Sequence, residues 1–90
     1  MSEPSDATIP EIDFGTFVMS LATSVLVHLG EVAHPDSATS EANLPLAKQT
    51  IDILGMLREK TRGNLTNEEA QLIEQLLYDL RMKYVARNKP

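Results

Sequence analysis

The chain has 90 residues, a net charge of −5 at pH 7 and no cysteine. That length points to one domain, and one too small to bury a sizeable core easily. Without cysteine, neither a disulfide nor a thiolate zinc site can help, which leaves association with another chain as the expected aid. The acidic balance weakens non-specific nucleic-acid binding, so no nucleic-acid partner is expected. Residues 1–43 carry seven acids and no lysine or arginine, and all eight bases follow them.

Residues 1–12 read as a disordered acidic tail, polar, interrupted by Pro4 and Pro10, and without periodicity. Acids and no bases precede the first apolar stretch, the reverse of a secretory signal, and a cytoplasmic setting fits the lack of cysteine.

The first helix is expected over about residues 14–29. Asp13 supplies an N-cap, no proline or charged residue follows until Leu29, and Gly30 is a stop signal. Phe14, Phe17, Val18, Leu21, Val25 and Leu29 make a core stripe at helical spacing. The other faces hold Met19, Ala22, Leu26 and Val27, relieved only by glycine, small hydroxyl residues and His28. A helix on a monomer's surface normally turns charges outward, so this one is expected to be covered on nearly all sides. Pairing of two chains would do that, as a helical-bundle dimer with Phe17, Ser20, Leu21, Ser24, Val25 and Leu29 at the interface. A transmembrane role is not expected, because the uncharged run falls short of the ~20 residues a bilayer needs and its flanks are acidic.

Residues 31–42 read as a mobile loop of small and polar residues. Asn43 then caps a second helix, about 44–61, with Pro45 harmless in its first turn. Leu46, Ala47, Thr50, Ile51, Ile53, Leu54 and Leu57 should face inward. Gly55 costs ~1 kcal/mol relative to alanine and suggests a close approach. The third helix, about 67–87, opens on Thr66-Asn67-Glu68-Glu69, a capping box, with Leu65 placed to staple against Ala70. Ala70, Ile73, Leu76, Leu77, Leu80, Tyr84 and Val85 form its apolar stripe, and Asp79 can pair with Lys83. The short Arg62–Leu65 link makes the second and third helices an antiparallel hairpin, and 88–90 a short tail. The fold class is therefore all-α, a single three-helix domain over 13–87.

The runs DFGTFVMSLATSVLVHLGE, NLPLAKQTIDILGMLREKTRGNLTNEE and LLYDLRMKYV, in this order, resemble a family of short bacterial proteins, domain of unknown function number eighteen forty-four. The resemblance covers about residues 13–85 and implies a small cytoplasmic helical protein without an established activity. It supplies no functional residues.

One cluster has metal-ligand chemistry: His28, Glu31, His34 and Asp36. Gly30 interrupts it and the rest lies on a loop, so the plainer reading is a histidine near a helix C-terminus. Ser24 and His28 share a helix face but lack an orienting acid and an oxyanion pocket, and a hydroxyl in an apolar helix usually bonds its own backbone. No cofactor or catalytic set is expected. Tyr78 with Arg81 is the candidate partner surface, beside the four bases and no acids of the last ten residues. The expected function is a non-enzymatic, homo-oligomeric scaffold or adaptor. The alternative is a small-ligand or metal-binding regulator with His28 at a pocket mouth.

Overall fold

A computed structural model describes residues 11–32 and 42–89 and holds three helices: α1 (Phe14–His28), α2 (Leu44–Lys60) and α3 (Asn67–Arg87). Each begins at the cap its sequence advertises. The Asp13 carboxylate accepts from Thr16 N at 2.7 Å and the Asn43 side chain accepts from Leu46 N at 3.1 Å. At α3 the capping box is complete: Thr66 Oγ1 accepts from Glu69 N at 3.1 Å while Glu69 Oε1 accepts from Thr66 N at 2.9 Å. These bonds satisfy amides that the first helical turn leaves without partners.

Gly30 ends α1 in a left-handed conformation, φ +80°. Its amide donates to Val27 O at 3.0 Å and that of Glu31 to Leu26 O at 2.9 Å, the paired bonds of a Schellman turn. Asn43 N then donates to His28 O at 2.6 Å, which brings the start of α2 to the end of α1 and sets the two helices antiparallel. Gly63, φ +87°, turns α2 into α3.

Contacts along α2 and α3 run in opposite senses. Arg58 Nη1 reaches Glu74 Oε1 at 3.2 Å, and the Arg81 guanidinium lies over Gly55, 3.1 Å from where a β-carbon would stand. The expected antiparallel hairpin is present. α1 runs parallel to α3, with Gly15 against Leu72 at one end and Gly30 against the Arg87 guanidinium at the other. The result is an up-down-up bundle.

Its core is Val18, Ala22, Val25 and Leu29 from α1 and its cap, Ala47, Ile51 and Leu54 from α2, and Ile73, Leu77 and Leu80 from α3. Thr50 is the buried polar residue, and its hydroxyl donates to Leu46 O at 3.1 Å. Several expected inward residues do not reach this core. Phe17, Leu46 and Val85 are exposed, and Ile53 is half-buried. The expected Asp79–Lys83 pair does not form; Gln75 Nε2 donates to Asp79 Oδ1 at 3.1 Å instead. No helix among the described residues is long and apolar enough to cross a membrane.

Candidate interaction surfaces

Two surfaces stand out once the bundle is assembled. The first is the outer face of α1. Because Val18, Ala22, Val25 and Leu29 set the buried phase, the residues opposite them face water: Thr16, Phe17, Met19, Ser20, Thr23 and Ser24 are all exposed. Phe17 is 40% and Met19 46% accessible. Ser20 Oγ donates to Phe17 O at 2.7 Å and Thr23 Oγ1 to Met19 O at 3.0 Å, so both hydroxyl protons are used within the helix. The face thus carries no charge, and two of its four hydroxyls donate inward.

This arrangement divides the six residues expected at an oligomer interface. Phe17, Ser20 and Ser24 are exposed and Leu21 is half-buried. Val25 and Leu29 are 0% accessible within a single chain, so an interface that keeps this fold cannot contain them. They belong to the intrachain core. Its own chain covers one side of α1 and leaves the other exposed.

The second surface runs along α3; its first part is lined by α3 alone, and α2 borders the rest through Arg58 and then Lys48, Ile51 and Asp52. Three shallow depressions adjoin there, sharing Glu74 and Tyr78 at one junction and Arg81 and Val85 at the next. From Ala70 to Val85 the trough spans roughly 22 Å at 1.5 Å rise per residue. Its apolar floor includes Tyr78, Met82 and Val85, which are 64%, 56% and 55% accessible and stand at i, i+4 and i+7 on α3. Tyr78 and Arg81, expected from the sequence as a partner surface, both line it.

The trough's charges are mostly spoken for. Lys48 Nζ lies 3.0 Å from Asp52, and that hydrogen bond raises the lysine above its ordinary value. Arg58 bridges Glu59 at 3.4 Å and Glu74 at 3.2 Å, while its Nε is shielded from water without a partner. Arg81 makes no ion pair among the described residues. Sequence reasoning missed Met82 and Val85 here; Val85 was expected in the apolar stripe that faces the core.

The remaining candidates are not assembled into a site. His28 is half-buried at the end of α1 and Glu31 is exposed just beyond it, whereas His34 and Asp36 lie outside the described residues. Among the described residues no group of three or more histidines and carboxylates is placed to hold a metal ion. No hydrogen bond joins Ser24 to His28.

Neither a curated protein nor a solved structure matches the chain. A family model does, over residues 11–86, which takes in α1, α2 and all but the last residue of α3. The chain therefore belongs to the family described as Domain of unknown function (DUF1844).

Proposed function

We propose that this chain is a non-enzymatic interaction module that self-associates through the outer face of α1 and serves as a scaffold or adaptor in the bacterial cytoplasm. The observation that carries this reading is an exposed helical face without a single charge. Lysine, glutamate and their like keep ordinary surface helices hydrated and apart. Here Phe17 and Met19 flank small hydroxyl residues, of which Ser20 and Thr23 turn their donors back on their own helix. Burying such a face strands few polar groups, and Ser20 and Ser24 allow two backbones to approach closely. A two-fold pair of α1 helices is the simplest closed arrangement that uses it.

Light scattering across a range of protein concentrations tests the reading. The expected mass is twice the 10.0 kDa of one chain or a higher multiple, falling to one chain in Ser20→Arg. A wild-type chain that stays folded and monomeric at every concentration overturns it.

A further inference from the structure

We infer that the trough along α3, bordered by α2 over its C-terminal part, is a docking site for an acidic amphipathic helix of another protein, with a partner carboxylate seated on Arg81. This rests on the reading of the chain as an interaction module but not on its self-association, because the trough and the outer face of α1 are different surfaces.

Shape is the first argument. A trough of roughly 22 Å matches about four turns of a helix, whereas an extended strand would cross it in six or seven residues. Tyr78, Met82 and Val85 repeat at the spacing by which one helix meets another, and their exposure leaves apolar area for a partner's own apolar stripe to cover. Tyrosine is also the residue type most suited to this, since its ring packs while its hydroxyl remains wet.

Charge selects the partner. The trough is lined by three bases, Lys48, Arg58 and Arg81, against two acids, Asp52 and Glu74, on a chain whose net charge is −5. Lys48 and Arg58 already hold those two acids. The surplus is Arg81, which lines the two depressions on either side of it and stands over Gly55. An arginine in that position accepts a carboxylate through two parallel N–H donors. A basic partner helix would place like charge against it and leave the guanidinium unpaired, which disfavours that class.

The test uses a fluorescein-labelled, alanine-rich peptide of about four helical turns, with leucine along one face and glutamate beside it, and a twin in which lysine replaces glutamate. Fluorescence anisotropy should show saturable binding of the glutamate peptide, weakened by salt, and little binding of its twin. Arg81→Glu should weaken binding about tenfold or more, as loss of a charge-paired contact does. Arg81→Lys should fall between that variant and wild type. Tyr78→Ala with Met82→Ala should also weaken it, and circular dichroism should show both sets of variants folded. Amide chemical-shift changes should centre on Glu74–Val85. No saturable binding, equal binding of the twins, an unchanged affinity in Arg81→Glu, or shifts centred on α1 would each overturn the proposal. Failure of self-association is read separately, from the mass of the chain without peptide.

Discussion

Leu29→Ala and Ser20→Arg probe the two faces of α1 and should behave oppositely. Leu29 is fully buried in the intrachain core, and truncating such a leucine costs about 2–5 kcal/mol. At about 4–8 °C per kcal/mol for a domain of this size, a loss near ~3 kcal/mol lowers the melting temperature by about 12–24 °C. Ser20 is exposed, and an ordinary surface substitution changes stability by no more than ~0.5 kcal/mol. Its effect should instead appear in concentration dependence. A folded dimer gains from mass action, and a hundredfold rise in protein concentration is worth about 2.7 kcal/mol per dimer. Thermal melts followed by circular dichroism at two concentrations about a hundredfold apart separate the cases. Wild type and Leu29→Ala should both melt higher at the greater concentration, Leu29→Ala from a much lower baseline. Ser20→Arg should melt at one temperature throughout. A Leu29→Ala variant within about 4 °C of wild type would contradict the assignment of this residue to the core. A concentration dependence that survives in Ser20→Arg would remove this face from the association.

Thr66→Ala breaks the reciprocal cap of α3 and should cost about 1 kcal/mol in urea denaturation, with Thr66→Ser restoring most of it. The backbone amide of Thr16, donating to the Asp13 carboxylate, holds that carboxyl below its usual range. Its contribution is therefore present above the unfolded carboxyl's value and is lost as pH falls through the lower folded value. Asp13→Asn keeps a cap without the titration, so its deficit or advantage relative to wild type should change below about pH 4, and parallel acid-denaturation curves would contradict this. Gly30→Ala should destabilise by about 1–2 kcal/mol from its left-handed backbone alone. An added β-carbon would stand 2.5 Å from the Arg87 guanidinium, but that group is the far end of a flexible, exposed side chain and swings aside at little cost. An Arg87→Ala background should therefore leave the cost of Gly30→Ala nearly unchanged, as a double-mutant cycle would show.

The ends of the helices were legible in the sequence because capping is local chemistry. Asp13, Asn43 and Thr66 need only an amide two or three residues ahead, and Gly30 and Gly63 only a backbone freedom of their own. The phase of α1 was harder to read, and the reason lies in its composition. A polar face normally tells which side is out; with no charge between Phe14 and Leu29, the stripe through Phe17 and the stripe through Ala22 look alike. Packing resolves them in favour of Ala22, whose small side chain lets α1 lie close to its neighbours, and turns Phe17 outward. The same ambiguity assigned Val25 and Leu29 to an interface as well as to the core. Tyr78 and Arg81 were found because a large aromatic beside a base is conspicuous on any helix. The extent of their trough was not, since it depends on which side of α3 the hairpin leaves open.

The order of the helices bears on how the chain is made. The core stripe of α1 is completed by Ala47, Ile51 and Leu54 of α2 and by Ile73, Leu77 and Leu80 of α3, all synthesised later. At about 5–20 residues per second, the roughly sixty residues between the end of α1 and the end of α3 take some 3–12 s to appear. Until α2 follows, α1 has both its inner and its outer face uncovered and no charge to keep it in water, and its inner face stays incompletely covered until α3 is made. The nascent chain is thus adhesive at α1, and a ribosome-bound chaperone or a neighbouring nascent copy on the same message would meet it there.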